Sequence, residues 1–389
     1  MRGSIRKRNG RYWVIYDAPA SWDDVAGRWK RRQKWERVEE PNTKKHAETL
    51  LAQRLTELST GEFRELKAIA FRDYIGVWTK TYADAQVRPA TLDRYHSLFR
   101  VHLLPAFGDC LLLDLTVENV QLFRSQKLRD GQSPQSVKHM LRLLRQMLNH
   151  AIDWGYLRSN PASKVKDPRV PRREMDALGP KEVRLLLEHT PGRWFPLILT
   201  AVTTGMRLGE LLAMKWQNLE WQSSRYWVKE TLVRGSKERP RGFGSVKTDS
   251  SAQNVDLTPR CLAALQEHHH RQSGQKLSAI GYRDFDLIFA TDKGTPLDDR
   301  NVVHRVLEPV LEDAGLRRIR FHDLRHTCAT LLIAQNVPLK YVQRQLRHAS
   351  MQITYDTYGH LLPEVRIEST ALLDEALFGQ NHGRLPVSA

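Results

Sequence analysis

Cysteine is scarce: the 389 residues hold three, Cys110, Cys261 and Cys328, with neither a paired metal spacing nor an even disulfide set. That excludes a disulfide-stapled secreted scaffold and a cysteine-bound zinc, and it fits a reducing compartment. All three read as small buried fillers. Acidic residues are also in deficit, 44 Asp and Glu against 61 Lys and Arg, which leaves a net charge of +17 with histidine neutral. Such a surplus favours a polyanionic partner, either nucleic acid or an anionic membrane surface, without choosing between them. No apolar run approaches the roughly 20 residues a spanning helix needs. The opening Met1-Arg2-Gly3-Ser4 leads into polar sequence rather than an apolar leader. The expectation is a protein of the cytoplasm that makes no use of a membrane. Internal repeats and low-complexity tracts are absent too, so the length implies two or three ordinary domains, each able to bury a core.

What is present changes character along the chain. Residues 1–66 open with aromatic-rich alternating segments, Arg11-Tyr12-Trp13-Val14-Ile15-Tyr16 and Arg32-Gln33-Lys34-Trp35-Glu36-Arg37-Val38, around a polar loop expected over residues 18–27. Thr43 can then cap a helix through Ala47, Leu50, Leu51, Leu55 and Leu58 that Gly61 ends. A small sheet on one helix is expected, crowded by Arg6, Lys7, Arg8, Arg11, Arg28, Lys30, Arg31, Arg32 and Lys34. A strand pair of this kind can enter a DNA major groove, or its charge can form a solvated hairpin face.

Residues 67–160 turn helical, with periodic segments at 71–82, 89–103, 116–128 and 133–154 that predict a four-helix bundle. Arg94 and Arg142 are among its candidate phosphate contacts, in a distribution that is also ordinary for any soluble bundle. Pro161, Pro168 and Pro171 then fall among Lys164, Lys166, Arg169, Arg172 and Arg173, so 161–176 reads as an extended basic linker, either a strap along a duplex or a plain tether. Residues 177–389 are mainly helical again, with one small sheet expected between 225 and 257, a C-terminal segment at 363–378 able to dock in cis or on another protomer, and a frayed tail at 380–389. The fold class is therefore multidomain, mainly α with small antiparallel sheets.

The chemistry concentrates in two places. One is Thr203-Thr204-Gly205-Met206-Arg207-Leu208-Gly209-Glu210-Leu211; the other runs through Phe321-His322-Asp323-Leu324-Arg325-His326-Thr327, Leu346-Arg347-His348 and Tyr355-Asp356-Thr357-Tyr358-Gly359-His360. Breaking a phosphodiester with a side-chain hydroxyl needs charge stabilisation on the nonbridging oxygens, an in-line nucleophile and a proton for the departing oxygen. Arginine suits the first need, because its planar fork donates two parallel bonds to phosphate and stays charged. Arg207 and Arg325 are the pair, and His322, three residues before Arg325, shares its helix face. Tyr355 and Tyr358 both offer a phenol. His326 falls on a different part of the helix surface and reads as structural. His268-His269-His270 invites a metal, yet adjacent histidines on a helix diverge and no carboxylate or cysteine stands at ligand spacing, so neither metal nor cofactor is expected.

These motifs, with Val246-Lys247-Thr248 on a hairpin, resemble in order and spacing the tyrosine recombinases of the phage-integrase type. The likeness covers residues 178–378 by motif; the helical segment resembles that family's core-DNA-binding domain and residues 1–66 its arm-binding domain by pattern. It implies that Arg207 and Arg325 bind the scissile phosphate, His322 assists in acid/base chemistry, Lys247 protonates the leaving 5′ oxygen, His348 hydrogen-bonds the phosphate and Glu210 braces the site. In the family the nucleophile follows the histidine of the third motif by about ten residues; Tyr358 lies ten after His348 and Tyr355 seven, so Tyr358 is chosen and Tyr355 is left a packing role. Arg347 stands where relatives commonly carry glycine. The implied function is a site-specific recombinase integrating or excising a phage or mobile element through a 3′-phosphotyrosyl link. Its partners would be double-stranded attachment sites, three further protomers in a tetramer, and accessory bending and directionality factors. The alternatives are a resolvase-type tyrosine recombinase and a catalytically inactive DNA-binding regulator.

Overall fold

The computed structural model describes residues 3–23, 28–38, 41–60, 66–171, 175–235, 241–245, 253–361, 375–377 and 379, with backbone alone at 19–23, 28–31 and 245. Chain contacts divide it into two compact units, Met1–Pro171 and Arg172–Ala389. Among the described residues no helix is long and apolar enough to cross a membrane.

The first unit opens with an antiparallel sheet in the order β1 (Gly3–Arg8), β2 (Arg11–Asp23), β3 (Arg28–Arg37). Asn9 and Gly10, both at positive φ (51° and 77°), close the first hairpin in the two-residue turn that Asn-Gly favours. The loop expected from residue 18 is mostly strand: β2 continues to Asp23, and the register slips between Ala18 and Ser21. Pro19 sits in that slip, where its missing N–H costs no ladder bond. Val14, Tyr16 and Ala18 alternate onto one face and pack with Val38, Ala47 and Leu58 against the Lys44–Ser59 helix, which Thr43 caps. Arg54 ties helix to sheet. Buried on the helix, it donates from Nε and Nη2 to the two carboxylate oxygens of Glu36 (2.9 and 2.7 Å) and from Nη1 to Glu57, while Tyr16 donates to Glu36 at 2.6 Å.

The four predicted helices follow. Phe71–Trp78 and Pro89–Leu98 each run on through a π-turn, and Val117–Arg129 and Pro134–Asp153 are capped by Thr116 and Ser133. Trp78, Phe99, Leu103, Phe107, Met140 and Leu144 share their core. The stretch read as extended linker is anchored in its first part: Pro161–Lys164 is a 3-10 turn, and Ala162 and Val165 belong to the helical core. Arg145 holds it, donating to the carbonyls of Ala162 (3.0 Å) and Val165 (2.7 Å), so this cation is occupied within the fold.

In the second unit, Pro180–Glu188, Phe195–Thr204, Pro259–Ser278 and Asp323–Ala334 are the longer helices around a core that includes Leu197, Met206, Leu211, Tyr226, Val255, Leu265 and Leu324. The single sheet expected here is two. Asn254–Asp256 (β8) takes the free edge of Arg225–Trp227 (β5), whose other edge pairs with Leu219–Glu220 (β4); Glu230–Val233 (β6) and Gly242–Ser245 (β7) are left to form their own hairpin. Cys261 and Cys328 are buried as expected, but Cys110 is exposed. The 363–378 segment falls almost wholly outside the described residues, and the tail at 380–389 lies outside them entirely.

Candidate active site

The Phe195–Thr204 helix ends at Gly205, whose left-handed backbone (φ 63°) turns the chain toward Arg207. A Cβ there would meet Leu346 Cδ2 at 2.5 Å, so glycine is needed for space as well as for conformation. That close approach brings two carbonyls together over the Asp323–Ala334 helix. Arg325, 3 % exposed, donates from Nη1 to Gly205 O (2.6 Å) and from Nη2 to Leu346 O. Its guanidinium is thereby oriented by carbonyls, with no carboxylate bound to it among the described residues. Burial, with Arg207 and Arg347 nearby, pushes its pKa down to about 10. A buried cation short of counter-charge is a receptor for an anion.

Arg207 is held from beneath. Glu210, one turn on, accepts its backbone N–H at 3.0 Å and its Nη1 at 2.7 Å, and the oxygen that takes the backbone N–H also receives Nη2 of Arg347. Burial works to raise the Glu210 carboxyl, but Arg347 and Arg207 outweigh it and hold the pKa below the usual range. Arg207 keeps its side chain 42 % exposed. Arg347 ends the Leu339–Leu346 helix in the left-handed region (φ 55°, ψ 48°), and its side chain is wholly buried against Glu210. Among the described residues its Nε and Nη1 have no hydrogen-bond partner.

Tyr358 closes the Met351–Tyr358 helix and is 1 % exposed. Burial pushes its phenol up to about 12, although Arg325 pulls the other way. The ring of His348 lies nearly parallel to it at 6.3 Å, and His348 Nδ1 shares a hydrogen bond with Thr354 Oγ1 at 2.9 Å. Burial and the charges of Arg325 and Arg207 push the His348 pKa down to about 3. His322, at the start of its helix, keeps an exposed edge, and partial burial together with His326 and Arg325 pushes it down to about 4. Both rings are neutral near pH 7. His326, read from sequence as structural, is the residue that touches the phenol: its Nδ1 lies 2.8 Å from Tyr358 Oη. The signal that could have found it is the helical period, since His326 follows His322 by one turn and the two rings meet at 5.1 Å.

Arg207, Glu210, His322, Arg325, His348 and Tyr358 are thus brought into one cluster. Lys247 lies outside the described residues, just beyond β7. Tyr355 does not pack into the domain as expected; one turn before the buried Tyr358, it is 56 % exposed. Of the N-terminal cations, Arg6, Arg8 and Arg11 share the sheet face turned from the helix, with Arg6 over Trp35 at 5.6 Å, while Arg32 pairs with Ala18 on the other face and the side chain of Arg31 is not described. Arg94 and Arg142 are exposed, and after burial they are the next causes that lower the pKa of His139. His268 places its Nε2 2.7 Å from Ile288 O and His269 packs edge-on against Trp216, so neighbours in the triplet diverge.

Residues 177–364 match the phage integrase family, and residues 70–128 match the N-terminal SAM-like domain of phage integrases, together more than half of the chain. The chain belongs to the phage integrase family. This family member is 26 % identical to a tyrosine recombinase XerC-like protein of Caldanaerobacter subterraneus over 86 % of its own length and 90 % of that protein. It is 25 % identical to the ICEBs1 integrase of Bacillus subtilis over 96 % of its length and the whole of that protein. Among solved structures it resembles the Tn1549 transposon integrase bound to circular intermediate DNA (TM-score 0.67, 15 % identity, 79 % of this chain and 99 % of that one). It also resembles the lambda integrase tetramer on a Holliday junction (TM-score 0.57, 19 % identity, 92 % and 95 %). At these identities the structural likeness speaks to fold: mainly helical units with small antiparallel sheets, as the sequence pattern predicts. Within this phage integrase family member, the arginine between Leu346 and His348 is accommodated by turning its side chain into the core toward Glu210.

Proposed function

We propose that this tyrosine recombinase is an integrase of a phage or mobile element that cuts and rejoins double-stranded DNA at specific sites with Tyr358 as nucleophile. The observation that carries the reading is the convergence on one small volume of a buried phenol, a buried arginine held by carbonyls alone among the described residues, and an exposed, braced arginine. A phosphate entering it would meet Arg325 and Arg207 from two sides, with His348 and His322 at its edges. Tyr358 Oη attacks the phosphorus, the P–O5′ bond breaks, and a 3′-phosphotyrosyl link and a free 5′ hydroxyl result. The departing oxygen takes its proton from a general acid, and Lys247 is the candidate for that role. Attack by the 5′ hydroxyl of a second duplex reverses the step, so the bond energy is kept and the chemistry needs no nucleotide cofactor. Strand exchange between two duplexes calls for four protomers, and bending or directionality factors would act on the assembled DNA. The work would be done on DNA in a bacterial cytoplasm.

The test uses the DNA flanking the gene, footprinted with the full chain to locate its core site. A nicked suicide duplex bearing that site is expected to trap a covalent adduct with the wild type and none with Tyr358→Phe. An adduct that persists in Tyr358→Phe removes the nucleophile assignment, and none with the wild type favours a DNA-binding regulator.

A further inference from the structure

The phenol of Tyr358 is buried, and its proton must leave as the phosphorus bond forms. Burial raises the phenol, so ionisation in advance of attack is unfavourable near neutral pH. A base in contact with Oη is the remaining route. The group in that position is His326.

We propose that His326 is a catalytic residue, the general base that takes the Tyr358 proton onto Nδ1 during cleavage and returns it during ligation; this rests on Tyr358 being the nucleophile. The donor and acceptor stand 2.8 Å apart, inside the range for direct transfer. The groups facing the ring are His322, Asp323 and Arg325 of its own helix, Arg320 just before it, and Tyr358 and His348 from the C-terminal segments. Burial lowers the His326 pKa below the ordinary histidine value, and Arg320 and Arg325 add to this against Asp323, so near pH 7 the ring is neutral and able to accept. The Asp323 carboxylate, buried nearby on the same helix, then favours the imidazolium formed. In the step, the Tyr358 O–H bond breaks, its proton goes to Nδ1, the Oη–P bond forms and the P–O5′ bond breaks; the leaving oxygen is protonated separately. His322, facing the arginines, is left to serve the phosphate.

The experiment measures single-turnover adduct formation by the full chain on the nicked suicide duplex bearing the core site. His326→Gln keeps an acceptor for the phenol but cannot carry its proton, and it is expected to slow cleavage by about 100-fold or more while binding the same duplex unchanged. The wild-type rate is expected to rise with pH and level off below the ordinary histidine pKa; His326→Gln loses that plateau and keeps rising toward phenol ionisation. Trifluorotyrosine at position 358, a phenol acidic enough to ionise without help, is expected to restore His326→Gln to within about tenfold of the unsubstituted histidine protein carrying the same phenol, which also guards against a merely misfolded variant. A His326→Gln rate within about threefold of wild type, or a slow variant that the fluorinated phenol does not rescue, overturns the proposal. Absence of an adduct with the wild type overturns instead the reading of Tyr358 as nucleophile.

Discussion

Glu210 is gripped by Arg207 from one side and Arg347 from the other, and this fixes where the exposed Arg207 guanidinium stands. Removing one partner of a buried ion pair leaves charge uncompensated, typically at a cost of about 3–5 kcal/mol. Arg347→Met is therefore expected to lower stability by about 3 kcal/mol, toward the small end because Arg207 still pairs Glu210, read from the urea transition of the full chain. Arg347→Gly and Arg347→Ala remove the same pair and leave nearly the same cavity, but glycine relieves the left-handed backbone, worth about 1–2 kcal/mol, so it should lose less than alanine; equal losses would mean the strain is not there. A second consequence concerns pH. The His348 pKa is pushed from the ordinary value to about 3, so between these values the unfolded chain binds a proton the folded chain refuses. The stability this contributes is complete above about pH 6.5 and is lost progressively as pH falls toward 3. His348→Asn should show a shallower fall in urea midpoint than wild type over that window, and parallel curves would place the titration elsewhere.

Helix ends, more than helix bodies, assemble the site: Thr204 to Arg207, Leu346 to His348 and Tyr358 are all termini. Gly205→Ala would add a Cβ at positive φ and force Leu346 aside, with overpacking and backbone strain together costing about 2–4 kcal/mol. Because Leu346 O holds Arg325, adduct formation should fall more than a stability loss of that size explains; unchanged cleavage in the folded fraction would show that Arg325 is held otherwise. These elements also mark what the sequence makes legible. Apolar periodicity and the caps Thr43, Thr116 and Ser133 announce their helices locally, and the motif order announces the arginines. The partner of Tyr358 has a weak local signal in the one-turn spacing of His322 and His326, whereas Arg347 folding inward to Glu210 joins residues 137 apart and leaves no local trace. The same holds for Arg145 anchoring 162–165 and for the split of one expected sheet into two, where strand partners are chosen by long-range pairing.

Over the whole molecule, a net charge of +17 gives a field that draws polyanions, but its distribution decides what it does. Arg6, Arg8 and Arg11 lie on one sheet face beside Trp35, an arrangement of cations and aromatic rings that can lie along a phosphate backbone. On the proposed reading, substituting all three by alanine should reduce the slope of log affinity against log salt by roughly 0.9 for each phosphate no longer neutralised, measured on flanking DNA that holds arm sites. An unchanged slope would make this face ordinary solvated surface. The second unit makes a narrower demand, because the phenol of Tyr358 is buried beside Arg325 while Tyr355 is exposed. The most direct measurement is therefore to trap the covalent complex on the nicked core-site duplex, digest it and locate the nucleotide-bearing peptide by mass spectrometry. The modification is expected on Tyr358, in both the wild type and Tyr355→Phe; its appearance on Tyr355, or a complex that carries no phosphotyrosyl bond, would contradict the assignment.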